Sequence, residues 1–183
     1  MEKILEDLLI EKCRQGEHSA FRELVKAYRR QLYSYLLRLT GDRMTAEDAF
    51  QETLIKVWKA IGKYDHKDRF SSWLFSIAHN AAMDLIRKNN IRKNFFHPEE
   101  PELQPSESNP YSECVVNELK EILDRIIGGL PEKQKEVFLL REHSGMSFKE
   151  ISELTGQPLN TVLGHMHYAV DKIKRALRKK NAI

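Results

Sequence analysis

Proline is missing from the first 90 residues of this 183-residue chain, and glycine appears there only at 16, 41 and 62. With so few breakers and no alternating apolar/polar runs, a β-sandwich or barrel is excluded for this part. No apolar run approaches the roughly 18 residues of a membrane span. The start, Met1-Glu2-Lys3-Ile4-Leu5-Glu6-Asp7, lacks the basic-then-apolar order of a signal peptide. Cysteine is scarce as well. Cys13 and Cys114 lie far apart without metal-ligand spacing, which fits reduced thiols in the cytoplasm and leaves one bridge as the only disulfide to consider. Nor is there an acid–histidine pairing or a Gly-rich phosphate loop. His165 and His167, two residues apart, point in different directions on a helix, so a metal-dependent hydrolase using them with His143 is disfavoured and no cofactor is expected.

Strong net charge is also lacking, at +3, but the charges are blocked. Arg87 to Asn94 carries four basic residues and no acid, Glu99 to Asp124 eight acids against Lys120, and Asp171 to Lys180 six basic residues against one acid. The basic blocks are candidate phosphate contacts, or simply solvated helix ends.

What is present is helical periodicity. Ile4, Leu5, Leu8 and Leu9 start one amphipathic helix, ending near Gly16. Phe21, Leu24, Val25, Tyr28, Leu32, Tyr35, Leu36 and Leu39 mark a second, closed by Gly41. Thr45 with Asp48 opens a third, with Ala49, Phe50, Thr53, Leu54, Val57 and Ile61 inward and Gly62 after it. Phe70, Trp73, Leu74, Ile77, Ala78, Ala81 and Leu85 mark a fourth. From about Lys88 the pattern dissolves into a stretch with four prolines and several acids, read as a flexible linker. Periodicity resumes at Val115, Leu119, Ile122, Leu123 and Ile126, and Gly128-Gly129 breaks it before Pro131. The expectation is an all-α chain of two small helical domains, 1–90 and 115–183, joined by a linker at 91–114.

The most specific local pattern lies near the end. Ser147-Phe148-Lys149-Glu150 is a capping box opening a short helix with Ile151 and Leu154 on one face, which stops at Thr155-Gly156. After Gln157-Pro158, Leu159, Val162, Met166, Ala169, Ile173 and Leu177 recur at spacings of three and four. A short helix, a glycine turn and a longer second helix form a helix-turn-helix, whose second helix enters a DNA major groove.

Two blocks then carry a family resemblance. One is Ala46-Glu47-Asp48-Ala49-Phe50-Gln51-Glu52-Thr53-Leu54-Ile55-Lys56-Val57-Trp58, with Phe70 to Asn80 and Asp84 to Lys88 after it. The other is Leu130-Pro131-Glu132-Lys133-Gln134-Lys135-Glu136-Val137-Phe138-Leu139-Leu140-Arg141, with Ser147 to Ala169. In content, order and spacing the chain resembles an extracytoplasmic-function (ECF, group 4) sigma factor of bacterial RNA polymerase. The resemblance implies a cytoplasmic transcription initiation factor rather than an enzyme, monomeric when free and without a membrane segment. Its partners would be core RNA polymerase, through the largest-subunit clamp helices and the flap, promoter DNA, and an anti-sigma factor covering both domains.

By the same resemblance, domain 1–90 is sigma domain 2. Glu47, Asp48, Gln51, Glu52 and Ile55 would contact core polymerase, their carboxylates suiting arginine forks. Glu47 and Asp48 also fit a simpler account as acids complementing a helix N-terminus. Lys63, Arg69, Asn80, Arg87 and Lys88 would contact the −10 element, with Lys67, Arg92 and Lys93 as further cations and Asn80 reading a base edge. Trp73 lies on the apolar stripe and reads as core; Trp58 borders it. Domain 115–183 is sigma domain 4, with Asn160, Thr161, Gly164, His165, Tyr168 and Lys172 facing the −35 element. Here the chain departs from its relatives, which carry basic residues after the Thr-Val pair where this one has Leu163, Gly164, His165, His167, Tyr168 and Val170. The linker would thread into the polymerase channels. A stand-alone helix-turn-helix regulator is the alternative, but it leaves the Thr45–Lys88 block without a task.

Overall fold

A computed structural model describes residues 3–65, 69–95 and 122–180, with the backbone alone at 92–95 and 179–180. Every described regular element is a helix. The chain divides into two units, one made by Met1–Ile91 with His143–Gly145 and one by Arg92–Glu142 with Met146–Ile183.

The first unit is built from α1 (Lys3–Arg14), α2 (His18–Thr40), α3 (Arg43–Ala60), a 3-10 turn (Ile61–Lys63) and α4 (Phe70–Phe95). Helix α2 stops where expected: Gly41 sits at φ 81°, in the left-handed region, and its N–H bonds the Leu37 carbonyl. Its stripe of Leu24, Leu32, Tyr35, Leu36 and Leu39 is buried against α1 and α3, and Tyr35 meets Phe75 of α4 edge-on at 5.2 Å. Small residues bring α3 close: Ala46, Ala49 and Thr53 are fully buried, and the Thr53 hydroxyl donates a hydrogen bond to the Ala49 carbonyl at 2.6 Å. Phe70, Leu74, Phe75, Ala78, Ala81 and Ala82 form the buried side of α4.

Three expectations fail in this unit. Thr45 does not open α3; Asp42 caps it, accepting from the Thr45 N–H at 2.7 Å, and Thr45 is buried in the first turn, accepting from Asn89 Nδ2 at 3.0 Å. An aspartate three residues earlier gives the stronger cap, so the Thr-x-x-Asp pattern is decoyed by the helix interior. In α1 only Leu9 of the four expected apolar positions is buried; the core contacts are Leu9, Ile10 and Cys13, and Ile4, Leu5 and Leu8 face outward. The Tyr28 hydroxyl bonding the Glu6 carboxylate helps set that rotation. Helix α4 runs on to Phe95, past the expected linker start at 91, because no proline intervenes before Pro98. The rest of the expected linker, from residue 96, lies outside the described residues, as do Lys67 and Cys114.

The second unit contains a short helix at 122–128 (α5), α6 (Glu132–Ser144) up to Glu142, α7 (Phe148–Thr155) and α8 (Leu159–Lys180). Val137, Leu139, Leu140, Met146, Ile151, Val162 and Ala169 make its core. The Pro131 carbonyl accepts from the Lys135 N–H at 2.9 Å, so proline stands at the entrance of α6 where its missing donor costs nothing.

Candidate functional site

The sequence-predicted residues fall on three separate surfaces. The first is the outer face of α3, where Glu47, Asp48, Gln51, Glu52 and Ile55 are all exposed. Spacings of three and four align Met44, Asp48, Gln51 and Ile55 in one row, with Glu47 and Glu52 on its flanks. Met44 at 74 % and Ile55 at 51 % exposure place an apolar group at each end of an acidic strip. Met44 was not among the residues expected on this face; the signal for it is a large apolar side chain in register with Ile55 but off the core stripe. Because α3 starts at Arg43, Glu47 and Asp48 are its fifth and sixth residues, past the first turn where the dipole acts. A local account is left for Glu47, paired with Arg43 Nε at 2.8 Å, and for Glu52, 3.3 Å from Lys56 Nζ. Asp48 and Gln51 both face solvent.

The second surface runs from the 3-10 turn along α4. Lys63 is exposed in the turn, Arg69 just before α4, and Asn80, Arg87 and Lys88 on the helix. Asn80, Asp84, Arg87 and Ile91 share one face by spacing, so an acid stands between the amide and the cation. Arg87 lies 3.7 Å from Asp84, an exposed pair worth little. Trp73 is half-buried, with Tyr64 at 4.9 Å and Phe70 at 5.6 Å, and so belongs to an aromatic cluster rather than to the deep core. Trp58, at the edge of α3, stacks on the His18 ring at 4.4 Å and meets Phe21 at 5.0 Å.

The third surface is the α7–α8 pair. The capping box is complete: the Ser147 N–H donates to Glu150 Oε2 at 2.6 Å, and the Glu150 N–H donates to Ser147 Oγ at 3.2 Å. Gly156 at φ 67° makes the turn. Val162 and Ala169 are fully buried and fix the rotation of α8, leaving Asn160, Thr161 and Tyr168 exposed and Gly164 and His165 half-buried. Leu159, in the first turn of α8, leaves the expected inward stripe and is 44 % exposed. Lys172, expected to face DNA, donates from Nζ to the Gly129 carbonyl at 2.6 Å, holding the end of α5. Arg175 pairs with Asp171 at 2.9 Å on the exposed side.

Comparison with known proteins accounts for both units. The Sigma-70 region 2 pattern matches residues 24–91 and the Sigma-70 region 4 pattern residues 120–179. Among curated relatives, the chain is 28% identical to the ECF RNA polymerase sigma factor SigW of Bacillus subtilis (strain 168), covering 92% of this chain and 95% of the relative. It is 29% identical to the ECF RNA polymerase sigma-E factor of Escherichia coli (strain K12), covering 94% of each. Of solved structures, the sigma factor RpoE from Bartonella quintana, in complex with the anti-sigma factor NepR, superposes with TM-score 0.67 at 19% identity over 86% of this chain and 96% of that one. CnrH, in complex with the cytosolic domain of CnrY, gives TM-score 0.64 at 23% identity over 96% and 98%. A stand-alone helix-turn-helix regulator does not explain a region 2 match that covers three of the four helices of the first unit. The chain belongs to the sigma-70 family and is an ECF-type RNA polymerase sigma factor.

Proposed function

We propose that this sigma factor is of the group 4 kind and acts in the cytoplasm by docking α3 on the clamp helices of core RNA polymerase. From there α4 and the turn before it engage the −10 element, and α8 reads the −35 element while its domain rests on the flap. The observation that carries this reading is the α3 row itself. A helix whose opposite side is sealed by Ala46, Ala49 and Thr53 presents Met44, Asp48, Gln51 and Ile55 to solvent. Acids flanked by apolar anchors fit a partner helix rich in arginine, each fork pairing bidentately while the anchors are buried. Regulation by an anti-sigma factor is part of the proposal, since the Bartonella quintana relative is held in such a complex.

The test uses the full chain with purified core polymerase. The two co-migrate, and the mixture yields run-off transcripts from a promoter located by mapping start sites after overexpression. A chain that never binds core overturns the proposal. Gln51→Lys with Glu52→Lys abolishes co-migration while helix content and thermal unfolding stay unchanged.

A further inference from the structure

The recognition helix of the second unit has an unusual outward face. From Leu159 to Val170 it carries no lysine, arginine, aspartate or glutamate. At 100° per residue, Gly164 lies about 160° round the helix from the fully buried Val162, on the side turned away from the core, with its own surface half exposed. Asn160 stands one turn before it and Tyr168 one turn after, with Thr161 and Leu163 to the sides. Leu163 is 41 % and Tyr168 61 % exposed. A Cβ built on Gly164 meets no atom within 4 Å, so nothing in the chain's own packing calls for glycine there. Its backbone is ordinary helix rather than left-handed, so conformation does not call for it either. A glycine inside a helix is unfavourable by roughly 1 kcal/mol against alanine, and here it returns nothing to the folded chain.

We infer that Gly164 is a close-approach point at which the α8 backbone settles against the floor of the major groove. Asn160 there recognises adenine, and Leu163 and Thr161 place methyl groups against thymine C5-methyls. This rests on the reading of α8 as the −35 helix. Asparagine suits adenine because its amide matches the N6/N7 pair, and an apolar side chain is the natural reader of the thymine methyl. Guanine, read best by arginine, has no such partner on this face. Shape and base-edge chemistry therefore carry the selectivity, with phosphate attraction contributing little.

Holoenzyme made from the full chain is used to transcribe a promoter library randomised across the −35 region, and then the selected element with each thymine replaced by uracil. The expected selection is rich in A·T pairs. Each contacted methyl removed lowers open-complex formation about fourfold, from about 0.8 kcal/mol per buried carbon, and Leu163→Ala erases that penalty at the thymine it covers while leaving the one opposite Thr161. Gly164→Ala raises the thermal midpoint of the free protein, leaves core binding unchanged, and lowers use of the selected element about tenfold. Equal transcription from thymine and uracil templates, or full activity of Gly164→Ala, overturns the inference while leaving α8 as the −35 helix. A library with no preference at all upstream of −10 overturns that underlying reading as well.

Discussion

Replacing Ile151 by alanine tests how the helix-turn-helix is held together. Helix α7 has only eight residues, well below the length at which a helix persists alone in water. Two things stabilise it: the capping box at Ser147–Glu150 and the fully buried Ile151 side chain, with Leu154 contributing a half-buried contact. Ile151→Ala removes three carbons, about 2.4 kcal/mol of transfer free energy at about 0.8 per carbon, and a cavity term raises the total to about 3–4 kcal/mol. Ser147→Ala removes one acceptor for an orphan N–H and costs about 1 kcal/mol. Because the chain has two units, a single melting midpoint is a poor measure, and hydrogen exchange of the amides at 151–156 reads α7 directly. Protection there falls more than a hundredfold in Ile151→Ala and about fivefold in Ser147→Ala. Equal losses in the two variants, or a loss under tenfold in Ile151→Ala, would refute the view that one buried side chain anchors this helix.

Other outcomes follow from the same geometry. Asn80→Ala shifts base preference in a −10 library without weakening core binding; an unchanged preference removes Asn80 from the reading surface. Burial, with a smaller push from the Glu17 carboxylate, raises the Cys13 thiol from 9.0 to about 11. At pH 8 about one thiol in a thousand is ionised, so alkylation of the Cys13 peptide is slow in the folded chain and rapid in denaturant. Because that pKa is raised, its contribution to stability is complete below pH 9 and is lost as pH rises to about 11, on the order of 2–3 kcal/mol, visible as a falling denaturation midpoint that Cys13→Ala flattens.

Much of the fold was legible because helical periodicity and breakers agree. The stripe of α2 with Gly41, and the capping box of α7 with Gly156, were read where they stand. What escaped were features set by competition between neighbours. Asp42 outcompeted Thr45 for the cap of α3, a choice that local pattern leaves open because both residues suit the position. The rotation of α1 was misjudged because two apolar pairs, Leu5-Ile4 and Leu8-Leu9, define two overlapping stripes, and only packing selects Leu9 with Ile10 and Cys13. At the site, the acids of α3 were visible as a polar face, but Met44 was not, since its register with Ile55 counts only once the helix is known to start at Arg43 rather than Thr45. Lys172 is exposed as expected, but its bond to the Gly129 carbonyl, 43 residues away in sequence, has no local signal.

A recognition helix stripped of cations would be a poor DNA-binding device by itself. Counterion release is the main source of affinity for duplex DNA, and α8 offers none of it between Leu159 and Val170. That weakness is tolerable only if the helix is delivered to its site by something else. Held on polymerase beside a second promoter contact, it meets DNA at an effective concentration set by the assembly, which supplies affinity without any new contact. Discrimination between sequences then depends on shape and base-edge fit, where charge would mask mismatches by binding every duplex. Cations stand instead outside that stretch, among them Arg87 and Lys88 on α4, Lys149 on α7, and those beyond Asp171 in the last turns of α8. Moving one of them inward, as Gly164→Arg, would strengthen binding to all duplexes, steepen its salt dependence and blunt −35 selectivity together, and selectivity that survived such a change would show that affinity and reading are not separated in this way.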